Sequence, residues 1–236
     1  VTTPASTITY AYDPFGRRIE KDVSGTITKY AYDREDIVAE YNGAGVLQAT
    51  YIHGPGIDEP LKMNRGGVAY YYQRDGLGSI VGLANGAGAV VRSYRYDSFG
   101  RITAETGAVE NPYVYTGRER DTETGMYYYR ARYYDPQFGR FINEDPIGFD
   151  SGDENFYNYV ASNPTNFVDP SGHGIVSASE MDAPGIGMPI SGPIPTTGNL
   201  SDTTTTSMQE GTKVASALEY NSSGNQLCLF SETGLE

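Results

Sequence analysis

The sequence has a single cysteine, Cys228, in 236 residues, so neither an intrachain disulfide nor a cysteine-based metal cluster is available to it. Its two histidines, His53 and His173, stand too far apart for a local zinc pair, and no His-Glu-x-x-His helix exists. Both read as turn histidines, and no cofactor or metal is expected. Lys and Arg number 17 against 30 Asp and Glu, a formal net charge of -13. Without a basic run the chain lacks a phosphate-tracking surface, and nucleic acid is not an expected partner. The same charge is repelled by anionic lipid, and no stretch approaches the roughly 20 apolar residues of a membrane helix. Membrane insertion is therefore not expected. Helical periodicity is missing as well, with room for a turn or two only at Asn155 to Ala161. The chain opens on Val1 with no charged-then-apolar leader, and is expected to be a fragment of something longer.

What the chain does have is tyrosine, 21 residues of it, all but Tyr220 before residue 173. One phrase recurs: Tyr12-Asp13-Pro14-Phe15-Gly16-Arg17, Tyr96-Asp97-Ser98-Phe99-Gly100-Arg101, and, with one residue inserted, Tyr134-Asp135-Pro136-Gln137-Phe138-Gly139-Arg140. A strand-forming Tyr before an Asp/Pro/Gly turn, used repeatedly, marks a repeat protein. Tyr-x-Tyr pairs at Tyr10/Tyr12, Tyr30/Tyr32, Tyr94/Tyr96 and Tyr113/Tyr115 each pave one strand face with rings. Between them Asn42-Gly43, Asn64-Arg65-Gly66-Gly67, Asp75-Gly76, Asn85-Gly86 and Ser98-Phe99-Gly100 offer the positive-φ residues of tight hairpins. The clearest hairpin runs from Ser79-Ala84 through Asn85-Gly88 to Ala89-Tyr96.

The first 172 residues thus read as all-β, antiparallel hairpin repeats. Residues 184 to 198, rich in Pro and Gly, cannot supply a hydrogen-bond ladder and read as a linker. Beyond it, Ala217-Tyr220 and Gln226-Phe230 make one hairpin at most, so the C-terminal tail is expected to be largely irregular.

These features resemble the YD-repeat (RHS) family, and residues 111 to 172 resemble its RHS-repeat-associated core. The landmarks are Tyr115-Thr116-Gly117-Arg118-Glu119, Arg130-Ala131-Arg132-Tyr133-Tyr134-Asp135-Pro136, Gly139-Arg140-Phe141, Asp145-Pro146-Ile147-Gly148-Phe149, Asn155-Phe156-Tyr157-Asn158-Tyr159, Asn163-Pro164 and Asp169-Pro170-Ser171-Gly172. The resemblance implies a sheet that spirals into a hollow shell, closed by the core segment, with a variable C-terminal toxin often held inside. It also implies that the core cuts its own chain just after the second Asp-Pro-x-Gly. Here that places His173-Gly174 where relatives usually carry Leu or a similar apolar residue. The implied division is 1–110 YD-type repeats, 111–172 core, and 173–236 variable tail.

Asp145 and Asp169 each open an Asp-Pro-x-Gly phrase. Two carboxylates folded together cannot both ionise cheaply, so one keeps a proton while the other activates water. Arg132 is the position the resemblance marks as third member, able to orient a carboxylate or stabilise an oxyanion. The competing reading is plain turn chemistry, for which Asp-Pro-x-Gly is well suited. Asp150 to Asn155 gathers oxygen ligands, but fits no EF-hand frame and reads as a solvated turn. The Tyr rows offer sugar-stacking faces, although such rows more often pack against neighbouring strands. Residues 173–236 hold one Lys, no Arg and no recognisable nucleophile-base pair, so nuclease chemistry is not expected there.

The leading expectation is the C-terminal end of a YD-repeat shell that encapsulates or presents its tail, secreted or at a cell surface. Its expected partners are its own upstream repeats and tail, with self-association through unpaired strand edges. The alternative is an extracellular adhesion or self-assembling surface module without proteolysis.

Overall fold

The computed structural model describes residues 7–178 and, by backbone alone, 219–220 and 226–227. Two compact units divide the chain, Val1–Ile194 and Pro195–Glu236. In the first, five strands lead off: β1 (Ile8–Tyr12), β2 (Arg18–Val23), β3 (Thr26–Asp33), β4 (Asp36–Asn42) and β5 (Leu47–His53). Five more follow: β6 (Pro60–Arg65), β7 (Val68–Arg74), β8 (Ile80–Asn85), β9 (Val90–Tyr96) and β10 (Ile102–Thr106). Each pairs antiparallel with the next, giving one ten-stranded sheet in sequence order. The hairpin expected over Ser79–Tyr96 is β8 and β9.

Five connections share one wiring. In the loops opened by Asp13, Asn42, Asp75, Asn85 and Asp97, the side-chain Oδ1 accepts from the backbone N–H two and four residues on, at 2.9–3.1 Å. The glycine three residues on carries the positive φ, 83° at Gly16, 78° at Gly45, 80° at Gly78, 79° at Gly88 and 82° at Gly100. This corrects the expectation for Gly43, Gly76 and Gly86, which do not adopt positive φ. The Asp or Asn is selected because it closes the loop with its own side chain, and the later Gly because an L-residue there is strained.

After β10 the chain turns back over the sheet as an irregular plug. It holds a four-stranded antiparallel sheet of β11 (Glu119–Arg120), β12 (Tyr127–Tyr129), β13 (Arg132–Asp135) and β14 (Arg140–Phe141). A two-stranded piece follows, β15 (Phe167–Val168) with β16 (Val176–Ser177). One core joins sheet and plug: Ile37, Tyr51, Met63, Ile80, Leu83 and Tyr94 pack with Tyr113, Tyr115, Tyr127, Tyr129, Tyr134, Phe141 and Tyr159. Tyr rings therefore serve as packing, as in the T-shaped Tyr51–Tyr113 pair at 5.3 Å.

The plug is covered on both faces. Tyr127 and Tyr129 point into the common core, while Tyr128 is equally buried against Arg18 of β2, whose guanidinium lies 4.6 Å from its ring. Arg18 also pairs with Glu119 at 3.0 Å and Asp121 at 2.8 Å, across about a hundred residues of chain. Burial lowers its tendency to hold a proton, yet the two carboxylates raise it well above the ordinary arginine value. The sheet thus curls far enough for its first hairpin to close on the plug.

The turn expected near Asn155–Ala161 exists, but with the opposite hand. Val160, Ala161 and Ser162 have φ of 45°, 50° and 58°, a left-handed 3-10 turn. Each L-residue there is strained, which the packed surroundings of buried Tyr159 and Val160 must hold in place.

The described residues run past Gly172 to Ala178 and include β16. In the second unit, β17 (Glu219–Tyr220) pairs with β18 (Gln226–Leu227), the hairpin the sequence suggested. The Pro/Gly-rich stretch 184–198, expected to be a linker, lies outside the described residues.

Candidate functional site

The two Asp-Pro-x-Gly phrases, 24 positions apart in sequence, meet at Arg132. Arg132 opens β13, Asp145 follows β14 and Asp169 follows β15. One guanidinium nitrogen of Arg132, Nη2, bridges both acids, 3.0 Å from Asp145 Oδ2 and 3.1 Å from Asp169 Oδ2. All three side chains are buried. The acids therefore share a cation rather than a direct hydrogen bond, and the trio carries one net negative charge when both are ionised.

Each phrase is also a turn, as its residues alone suggest. Asp145 Oδ1 accepts from Ile147 N at 3.1 Å. Asp169 Oδ1 is more heavily engaged, accepting from the backbone N–H of Gly172, His173 and Gly174 at 2.8, 3.1 and 3.0 Å, and from Ser171 Oγ at 3.2 Å. Burial pushes the Asp169 pKa up, against the lowering by Arg132 and those N–H groups. Burial likewise lowers the Arg132 value, against the pull of Asp169 and Asp145.

Arg132 grips the expected cleavage region as well. Its Nε donates to the Gly172 carbonyl and its Nη1 to the Phe156 carbonyl at 3.1 Å, while the guanidinium rests 3.6 Å from the Phe141 ring. The Gly172–His173 peptide is thus held at both ends, its carbonyl by Arg132 and its N–H by Asp169. Gly172 must be glycine: its φ is +73°, and a Cβ would stand 2.3 Å from the Tyr129 carbonyl oxygen.

His173 is half-buried, and its Nδ1 lies 3.7 Å from Asp145 Oδ1 without a hydrogen-bond partner. A cleft of about 30 Å³, lined by Arg132, Asp145, Asp169, His173 and Gly174, adjoins the acids. That is room for about one water molecule.

Sequence reasoning missed what supports this trio. Buried Asp58 pairs with Arg118 and with Arg130 Nη2 at 2.8 Å, and Arg130 donates to the Pro170 carbonyl inside the second phrase. Arg130 itself has φ 57° in the two-residue turn between β12 and β13. Nothing near Asp58 in sequence hints at a partner 60 or 72 residues away. Asp153, in the oxygen-rich turn, accepts from Asn155 N at 2.8 Å and Asn158 Nδ2 at 2.7 Å. Among the described residues no group of three or more His, Cys, Asp and Glu stands ready to hold a metal ion. No described helix is long and apolar enough to cross a membrane.

A sequential antiparallel sheet curled around a tyrosine-packed plug, with strand-ending Tyr-Asp turns, defines a YD-repeat shell. The Teneurin YD-shell family model matches residues 2–167, and the chain belongs to that family. The chain is 35% identical over 173 residues to the tRNA3(Ser)-specific nuclease WapA of Bacillus spizizenii, covering 70% of this chain and 7% of that protein. It is 30% identical over 198 residues to double-stranded DNA deaminase toxin A of Burkholderia cenocepacia, covering 69% of this chain and 14% of the relative. Among solved structures, TcdB2-TccC3-TEV superposes with a TM-score of 0.56 at 21% identity, over 71% of this chain and 9% of that one, which is a likeness of fold. The chain thus spans about a seventh or less of these relatives.

Proposed function

We propose that this chain is the C-terminal end of a YD-repeat shell that encloses or presents a variable C-terminal segment and cuts its own backbone after Gly172. The observation that carries the reading is the Gly172–His173 peptide held between Arg132 and Asp169 beside Asp145 and a water-sized cleft. Asp145, as carboxylate, takes a proton from water while the oxygen attacks the Gly172 carbonyl carbon. The Arg132 guanidinium steadies the oxyanion that forms. Asp169, whose burial favours the protonated form, gives its proton to the His173 nitrogen as the C–N bond breaks. A Gly172 carboxyl and a His173 amine result.

Relatives named as a tRNA nuclease and a DNA deaminase toxin support a shell that works with toxin cargo, and in this reading the shell is secreted or at a cell surface. The cargo chemistry in those names belongs to those proteins. Its natural partners in this reading are upstream repeats, docking on the free edge of β1, and the tail itself.

Intact mass of the purified full chain tests the proposal. Wild type should yield two pieces divided within a residue or two of His173, whereas Asp145→Asn and Asp169→Asn should stay whole. A break elsewhere, or undiminished cutting in both variants, rules the dyad out.

The adhesion reading draws support from one different observation, the exposed apolar side chains Ile52, Leu61 and Tyr71 on the sheet. It also draws on a relative named salivary gland surface protein 1 of Aedes aegypti, 31% identical over 187 residues. A full-length chain that never cuts would favour it.

A further inference from the structure

The geometry points to His173 as a positioning residue that sets the pH range of the cut, acting through Asp145. This inference rests on the self-cleavage reading and adds to it a group that the acid pair alone does not require.

The His173 backbone is fixed, since its N–H donates to Asp169 Oδ1 and to Ser171 Oγ, both at 3.1 Å. The ring is consequently held where its buried, unpartnered Nδ1 faces Asp145 Oδ1 at 3.7 Å. Two cavities meet at this ring. On one side stand Asp145, Asp153, Asp169 and Arg132, an excess of carboxylate. On the other stand Arg17, Arg118 and Arg130, each already paired with a carboxylate of Asp13, Asp58, Glu35 or Glu119, around a cavity of about 220 Å³. A proton added to the imidazole is therefore drawn toward the first side, and Asp145 is the acid within reach of Nδ1.

Histidine is the side chain whose charge ordinarily changes between about pH 5 and 8. When the ring is neutral, Asp145 faces one cation, Arg132, and its Oδ1 accepts only from Ile147 N. When Nδ1 gains a proton, it can donate to Oδ1 and adds a second positive charge beside the carboxylate. Both effects make Asp145 a poorer acceptor of the proton that must leave the attacking water. A proton on the ring thus brakes the cut. An apolar residue at position 173 has no such brake.

The test uses full-length chains made in a cell-free system and shifted to buffers from about pH 5 to about pH 8.5, with cutting followed by intact mass. Each chain is normalised to its own rate at about pH 8. Wild type should slow by roughly tenfold more than His173→Leu or His173→Gln at the acid end of that range. Superimposable pH profiles for wild type and both variants, with Asp145→Asn uncut, overturn the role of His173 and leave the acid pair standing. Cutting that persists in Asp145→Asn overturns the acid pair and the brake with it, and no cutting by any chain at any pH overturns the self-cleavage reading as a whole.

Discussion

The sheet and the plug are built from the same residues and held together by opposite means. In the sheet every strand pairs with its sequence neighbour, and five of the connecting loops close on their own Asp or Asn side chains. In the plug the decisive contacts span the chain: Arg18 to Asp121, Tyr128 to the Gly16 carbonyl, Arg130 to Asp58. Local hairpins form early because short loops lose little entropy on closing, whereas the plug gains its contacts only after long closures. The sheet is a modular surface whose parts fail singly. The plug is the place where one change reaches everything.

The sharpest break in that contrast is Arg18→Met. Removing the guanidinium breaks the shortest ion pairs of two buried carboxylates, leaving Glu119 with Arg118 at 3.7 Å and Asp121 with Lys21 at 3.3 Å, and breaking such a buried ionic contact costs about 3–5 kcal/mol. A denaturant melt should show the first unit destabilised by that amount, enough to unfold a marginal domain. A loss under about 1 kcal/mol would mean that the first hairpin and the plug are not tied through this residue. Next in size is Tyr129→Ala, which empties a fully buried site ringed by Tyr134, Phe141 and Tyr159. About 3–4 kcal/mol should be lost in the same melt, and the Asp169 turn should loosen with it because Gly172 packs on the Tyr129 carbonyl. Smallest is Gly88→Ala in the β8–β9 loop. Its Cβ would meet nothing within 4 Å, so only the strain of φ 79° is felt, about 1–2 kcal/mol. Amide exchange should quicken in β8 and β9 and leave the plug protected. Faster exchange throughout would erase the contrast.

The same contrast explains what could be read from the sequence. The hairpin repeats and the all-β class were legible because alternation and turn residues act locally. The repeated loops were legible in position but not in detail: Asn42-Gly43 and Asn85-Gly86 look like tight turns, yet positive φ falls on Gly45 and Gly88. Asp145 and Asp169 were visible as paired phrases, and Arg132 only through the family resemblance. Asp58 was invisible, since its value lies in two arginines brought from the far end of the unit. The left-handed run at Val160 was equally hidden, because a β-branched residue is among the last that local preference would put there.

The short ladder between β15 and β16 takes on another aspect once the cut is considered. Val168 pairs with Val176 and Phe167 with Ser177, and Ala178 N donates to the Asn166 carbonyl at 2.9 Å, so the ladder straddles Gly172–His173. Buried Val168 and Val176 pack beneath Ile57 and Leu77. Severing the loop removes the covalent link and leaves the ladder intact. If the chain is cut there as proposed, the residues just after the cut stay paired as an added strand, a peg in its socket, and their release takes a dissociation as well as the proteolytic step.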